Sequence, residues 1–438
     1  EWGPMHWGHT VSTDLLHWKN LPIALYPDSL GYIFSGSAVV DEDNTAGFQK
    51  GREKTLVAIF TYDNPKTHVE SQAIAYSNDK GLKWKKYAGN PVIPNPGLKD
   101  FRDPKVRWYA PLKKWIMVVS CHDHVAFYSS PNLKNWAYES NFGKDDGSHG
   151  GVWECPDLFP LKVNATGKEK WILTVNSGGS PADGRSTQYF IGTFNGRSFI
   201  PDDHKTRWLD AGADEYAGVT WSNTGDRTIF LGWMDNWPAA NKNIPSYIWR
   251  GGMTLPMELG LRKLNDTTEF VTKEPVKELK TLEHPLLSLN HIRLLNDSWN
   301  KSFSGDQFAS SVTELSCKMG NANTLTVSLE NNLGQHVDIG YNKQTHRFFI
   351  DRTHSGKTDF RAESAAMHGV DIPENLPDIE LTIFYDRSTL EVFMNGGRWL
   401  MTDLVFPSQL FNKINISTSD NSGEIEHLKV AHLSSVWR

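Results

Sequence analysis

Two carboxylates in unlike surroundings mark the chain for bond-breaking chemistry. Glu154 sits in Gly151-Val152-Trp153-Glu154-Cys155-Pro156-Asp157, between a tryptophan and a Cys-Pro pair. Asp103 precedes it by 51 residues (154 − 103), in Phe101-Arg102-Asp103-Pro104. Glycosidic bond cleavage needs such a pair, one carboxyl held as an acid and one kept ionised. Burial beside Trp153 would keep the acid form of Glu154 available. The charge of Arg102 would favour the ionised form of Asp103, and Pro104 would fix the backbone behind it. Other structures share these spellings: a turn aspartate paired with its neighbouring arginine, or a buried, hydrogen-bonded strand glutamate. Neither residue decides the matter alone.

The elements that position them are short strands. Ser12-Thr13-Asp14-Leu15-Leu16-His17-Trp18 recurs as Ser77-Asn78-Asp79-Lys80-Gly81-Leu82-Lys83-Trp84 and as Ser130-Pro131-Asn132-Leu133-Lys134-Asn135-Trp136. A looser copy is Thr193-Phe194-Asn195-Gly196-Arg197-Ser198-Phe199. The closing aromatics are 66, 52 and 63 residues apart (84 − 18, 136 − 84, 199 − 136). Each copy follows a short apolar run, so the word reads as strand, polar turn, aromatic. A strand-based period of this length predicts blades of four strands arranged radially. Four hairpins plus strands at 228–233 and 252–258 predict about five blades. Gly and Pro punctuate too often for long helices, and the best helical candidate is residues 275–282. After about residue 285 the texture changes. Alternation at 324–329, strands at 379–385 and 389–394, and the turn Asn395-Gly396-Gly397 into 398–402 predict a β-sandwich.

Bulk composition excludes several classes. A net charge of −6 with 22% charged residues argues against a nucleic-acid surface. No apolar run approaches the ~18 residues needed to span a bilayer. Cys121, Cys155 and Cys317 lie far apart and form no pair or metal spacing. His122 and His124 alternate on one face of a predicted strand but have no matched partner pair. Ser355-Gly356-Lys357-Thr358 ends like a phosphate loop, yet Asp351 stands where the first glycine is needed. The 17 tryptophans suit either sugar stacking or a β-rich core.

Read together, the words resemble those of glycoside hydrolase family 32, the β-fructofuranosidases, invertases, inulinases and levanases. They are Trp2-Gly3-Pro4-Met5-His6-Trp7-Gly8-His9, Phe34-Ser35-Gly36-Ser37-Ala38-Val39, the Arg102-Asp103-Pro104 and Trp153-Glu154-Cys155-Pro156-Asp157 words, and Gly232-Trp233-Met234-Asp235-Asn236-Trp237. Late in the chain Leu390-Glu391-Val392-Phe393-Met394-Asn395-Gly396-Gly397 is similar to the family's C-terminal sandwich. The resemblance implies an all-β chain: a five-bladed β-propeller over 1–275, a linker over 276–285 and a β-sandwich over 286–438. It implies a retaining hydrolase of β-D-fructofuranosyl bonds in levan, inulin or sucrose, with neither metal nor organic cofactor. Glu154 matches the acid/base and Asp103 the transition-state stabiliser. Arg102, Trp2, Ser35, Ser37 and Trp233 match substrate contacts, though Ser35 and Ser37 also suit close packing and the tryptophans a blade core. Asp157 suits a role satisfying backbone N–H groups.

One family word is missing. The nucleophile's Trp-Met-Asn-Asp-Pro-Asn-Gly precedes the Trp-Gly-Pro word in the family, and here Trp-Gly-Pro begins at residue 2. Asp14 belongs to the hairpin repeat, and Asp41 and Asp43 fall beyond the Phe-Ser-Gly-Ser word, so none substitutes. The expectation is a chain whose hydrolysis is impaired, or alternatively a non-catalytic fructan-binding propeller. The loop at residues 176–180 resembles a rim loop of levanase- and inulinase-type members and points towards polymeric fructan. Such polymers do not cross membranes unaided, which places the protein outside the cell or in the periplasm.

Overall fold

The computed structural model describes residues 3–180, 182, 184–237, 244–246, 251–265, 268–294, 298–360, 366–374, 376–419 and 423–437. The fold is all-β. Helical turns among the described residues are short 3-10 segments such as Ala110–Leu112 and Lys277–Leu282. The second lies within the predicted helical stretch, where Pro275 instead ends the strand Glu269–Pro275.

A two-stranded hairpin, Trp7–Ser12 with Trp18–Leu25, is followed by four antiparallel sheets in chain order. Their first strands are Tyr32–Asp41, Phe101–Tyr109, Glu154–Lys162 and Tyr216–Thr220. The predicted strand at 228–233 is observed as Ile229–Met234, and that at 252–258 splits into Gly252–Met253 and Met257–Lys263.

The repeated word has a physical basis at each hairpin. A side-chain oxygen caps the N–H groups of the turn: Asp14 Oδ1 accepts from His17 N (2.8 Å), Asp79 Oδ1 from Lys83 N (2.9 Å), Asn132 Oδ1 from Asn135 N (2.9 Å) and Asn195 Oδ1 from Ser198 N (2.9 Å). In the first three copies the indole N–H donates three residues back, to Leu15 O, Gly81 O and Leu133 O. Those residues sit at φ of 65°, 86° and 62°, the left-handed region that the turn requires. In the fourth copy the Phe199 side chain has no N–H to offer. These tryptophans are therefore committed to turns.

Middle sheets are apolar on both faces, and successive residues serve different neighbours. In Lys114–Cys121, Met117 and Val119 pack with Val57, Ile59 and Ile74 of the preceding sheet. Ile116 and Val118 pack with Leu158, Leu173 and Val175 of the following one. Phe159, Leu161 and Ile172 then meet Phe230, Leu259 and Leu261 of the last. This explains the continuous apolar runs where a half-exposed strand would alternate.

The remaining strands form two six-stranded antiparallel sheets that share one core. Leu315, Ile383, Val392 and Leu428 come from one sheet, and Leu325, Ile339, Phe348 and Ile416 from the other. The segment at residues 210–214 runs along the outer strand Trp399–Leu404. Ala211 N donates to Leu400 O (2.8 Å) and Asp214 N to Thr402 O (3.0 Å), so that sheet edge is covered.

Candidate active site

The four first strands each carry a register irregularity near their start: Ile33/Gly36, Arg102/Lys105, Glu154/Asp157 and Tyr216/Val219. Asp103, Cys155 and Ala217 within them have φ of 64°, 45° and 56°. A bulge re-aims a side chain out of the pleat. Here the repeated bulges bring Arg102, Asp103, Glu154 and Tyr216, from three different sheets, into one hydrogen-bonded group.

Glu154 is held at both oxygens. Oε1 accepts from Arg102 Nη2 at 3.0 Å and Nε at 3.3 Å, and Oε2 accepts from the Tyr216 hydroxyl at 2.7 Å. Arg185 Nη1 approaches Oε2 at 3.7 Å, its guanidinium 6.0 Å from the Tyr216 ring centroid. Asp103 Oδ2 accepts from Cys155 N at 2.9 Å, with the Cys155 thiol at 3.7 Å. The backbone N–H of Asp103 donates to Thr61 Oγ1 (3.1 Å), and Thr61 donates to Gln72 Oε1 (2.7 Å). Gln72 Nε2 in turn donates to Phe101 O (2.7 Å), so the bulge is braced from the neighbouring sheet.

Arg102 joins the carboxylates. Besides Glu154 it reaches Asp100 Oδ1 (2.7 Å) and Glu70 Oε1 (3.1 Å). Burial opposes its charge, but the surrounding carboxylates, Asp103 foremost among them, raise its pKa above the ordinary value. Glu70 is pushed up to about 7 by burial, against the pull of Arg102.

Asp103 departs from expectation. Burial first, and repulsion from Glu154 second, push its carboxyl up to about 6 in spite of Arg102. The arginine was expected to dominate. Its charge is divided among Asp100, Glu70 and Glu154, whereas desolvation of Asp103 is nearly complete.

The other expected residues fall out unevenly. Trp2 lies outside the described residues. Ser35 is exposed at the bulge of Tyr32–Asp41. Ser37 was expected as a sugar donor, but its hydroxyl donates to Pro104 O (2.9 Å) and accepts from Val106 N (3.1 Å). Its single proton locks two sheets together. Trp233 is half-buried, paired in register with Tyr216 and edge-on to Trp237 at 5.5 Å. Asp157 accepts from Leu158 N and Thr220 N and pairs with Lys105 at 3.0 Å, as a fully buried carboxylate requires. The imidazoles of His122 and His124 are taken up by Asp100 (2.6 Å) and Asp123 (2.7 Å). Tyr216 was not anticipated. Its only signal was an aromatic within Asp214-Glu215-Tyr216-Ala217 near a first-strand start, and no hairpin word flags it.

An arginine-clamped glutamate, a second buried carboxylate hydrogen-bonded to the next peptide N–H, and Trp233 in register with Tyr216 make a site able to hold and move a proton. Comparisons with known proteins give the family. Residues 1–275 match the model for the glycosyl hydrolases family 32 N-terminal domain, and residues 271–432 that for the family 32 C-terminal region. Levanase of Bacillus subtilis (strain 168) is 43% identical over 447 residues, spanning 100% of this chain and 65% of its own length. The chain thus spans under two thirds of that relative. Extracellular exo-inulinase of Aspergillus niger is 35% identical over 476 residues, covering 100% of this chain and 88% of its own. Among solved structures, exo-inulinase from Aspergillus awamori superposes with a TM-score of 0.91 at 32% identity, covering 100% of this chain and 92% of that one. β-Fructofuranosidase from Schwanniomyces occidentalis complexed with fructosyl-erythritol follows at 0.89 and 31%, covering 99% and 90%. From its first described strands to its last, this chain belongs to glycosyl hydrolases family 32.

Proposed function

We propose that the protein hydrolyses β-D-fructofuranosyl bonds in fructans or sucrose with retention, Glu154 serving as acid/base and Asp103 as transition-state stabiliser. The observation that carries this reading is the clamp on Glu154 beside buried Asp103. It holds together, on the first strands of two successive sheets, two carboxylates suited to carry a proton and a charge. Glu154 gives its proton to the leaving oxygen as the C–O bond breaks and the fructosyl carbon bonds to a nucleophilic carboxylate, a group for which these 438 residues hold no match to the family's word. Glu154 then takes a proton from the water that displaces that carboxylate. Asp103 holds fructosyl hydroxyls and faces the positive charge that develops on the ring. Arg102, Ser35, Trp233 and Trp2 are proposed to line the sugar site, and Ser37 to support it.

The arrangement proposed is a five-bladed propeller over 1–275, a linker over 276–285 and a sandwich over 286–438. Support comes from the successive antiparallel sheets, each packed on the next, with three of the four first-strand starts meeting at Glu154. The exo-inulinase of Aspergillus niger is described as extracellular, and no described helix is long and apolar enough to cross a membrane. An extracellular or periplasmic location is proposed accordingly.

These 438 residues contain no match to the family's nucleophile word. A polypeptide confined to them is therefore proposed to turn over fructosides poorly, and the second reading is fructan binding without hydrolysis. Levan, inulin and sucrose hydrolysis, followed by NMR of the first fructose anomer released, tests the assignment. Turnover with retention that Glu154→Gln abolishes supports the hydrolase. Turnover untouched by Glu154→Gln overturns the site. Tight levan binding with no fructose released supports the second reading.

A further inference from the structure

Glu154 has two oxygens, and their partners are chemically unlike. The guanidinium of Arg102 has donors only, so Oε1, which faces Nε and Nη2, has no acceptor for a proton of its own. Oε2 faces the Tyr216 hydroxyl at 2.7 Å, a group able both to donate and to accept. Arg185, at 3.7 Å, lies beyond direct hydrogen-bond reach of that oxygen. We propose that the working proton of Glu154 resides on Oε2 and that Tyr216 is its positioning residue. The Tyr216 hydroxyl donates to the carboxylate and turns to accept from the acid.

This rests on the reading of Glu154 as the acid/base. No bond of Tyr216 is made or broken. The proton passes from Oε2 to the leaving oxygen, the carboxylate keeps the electron pair, and the tyrosine O–H rotates to follow. Three features of the fold suit the task. Tyr216 is buried at the bulge of its strand, so the ring has little freedom. Burial, then the charge of Glu154, holds its hydroxyl far above its ordinary pKa, so it stays neutral throughout. Its partner in register is Trp233, which ties the acid's support to a wall of the proposed sugar site. The groups that face the hydroxyl are Glu154, Cys155 and Arg185, with Asp103 behind Cys155.

The test has a spectroscopic and a kinetic arm. In protein labelled with [ζ-13C]tyrosine, the resonance lost in Tyr216→Phe should shift with pH in a step. That step should vanish in Glu154→Gln and persist in Asp103→Asn. A flat resonance, or a step that survives Glu154→Gln, overturns the proposal. In the kinetic arm, Tyr216→Phe should lower kcat/KM for sucrose by at least ~10-fold, a fraction of the ~100-fold or more credited to a general acid. An aryl fructofuranoside, whose phenolate leaves without protonation, should lose under ~3-fold. Equal losses on both substrates mean a merely structural tyrosine and overturn the proposal. If Glu154→Gln itself fails to separate the two substrates, the acid/base assignment falls first.

Discussion

Burial, not the arginine beside it, governs the charge of Asp103, although both Asp103 and Glu154 are marked in the sequence by their neighbours, an arginine and proline for one, a tryptophan and Cys-Pro for the other. Their electrostatics were not legible, since desolvation depends on what the other sheets bring. Asp103 shows the difference. Its folded pKa of about 6 lies above the ordinary value of 3.8, so the native state holds the proton more tightly than the unfolded chain. The associated stability is therefore full below pH 3.8 and is lost as pH rises through 6. Asp103→Asn keeps the shape and the acceptor for Cys155 N–H but removes the titration. The melting temperature of the variant relative to the parent should rise between pH 4 and 7.5, by an amount equivalent to a few kcal/mol at most, at about 1.4 kcal/mol per pKa unit. Activity should fall by orders of magnitude at both pH values. A Tm difference that is constant with pH removes the claim that burial outweighs Arg102.

Among elements, the hairpins were legible and the bulges were not. The hairpin word is written in side chains: an Asx oxygen, a left-handed residue and an indole that returns to it. A bulge is written only in backbone dihedrals, and Ala217 at φ 56° gives no hint of it in the sequence. Ala217→Gly should therefore leave Tm unchanged or raise it modestly, since left-handed geometry costs a non-glycine residue about 1 kcal/mol. The next position has the opposite sign. A Cβ at Gly218 would lie 2.0 Å from the Phe230 ring and 2.6 Å from Glu215 Oε1, both buried. Gly218→Ala should destabilise by roughly 1–3 kcal/mol, as overpacking of a filled core does. Urea unfolding of both variants distinguishes them, and equal effects mean that the strand start is not bulged as described. The adjoining Tyr216 makes this a functional matter as well, because displacing the bulge moves the hydroxyl that meets Glu154.

At the scale of the molecule, the sequence separated two textures but gave no sign of how they lock. The lock is assembled from charges distant in sequence and wholly buried. Arg352 Nη1 bonds to Asp214 Oδ2 (2.8 Å) and approaches Asp403 Oδ1 (3.3 Å), and His368 Nε2 meets Asp403 Oδ2 (2.9 Å). Asp210 Oδ1 accepts from Thr402 N, and Glu391 accepts from Leu255 N with both oxygens, at 3.0 and 3.1 Å. No pattern of spacing encodes such a set: Arg352 and His368 meet Asp403 within the sandwich sheets, while Arg352–Asp214, Asp210–Thr402 and Glu391–Leu255 form only where the two halves dock. Glu391 offers the cleanest readout. Burial pushes its carboxyl from 4.5 up to about 8, and the single backbone N–H of Leu255 does not compensate. Asp210 and Glu215 add repulsion from the same interface, and Asp386 adds more. A raised carboxyl stabilises the native state below its unfolded pKa, and that stability is lost as pH climbs towards the folded one. The two halves should accordingly hold together best in mild acid and loosen between pH 5 and 8. Glu391→Gln should flatten that dependence, gaining on the parent by up to ~1.4 kcal/mol per pH unit across the window. Calorimetry at pH 5, 6.5 and 8 measures it. If the parent and variant curves run parallel, Glu391 is not titrating at the interface. If they converge at pH 5 and diverge at pH 8, the acid at this junction sets how firmly the six-stranded sheets brace the segment that leads directly into Tyr216.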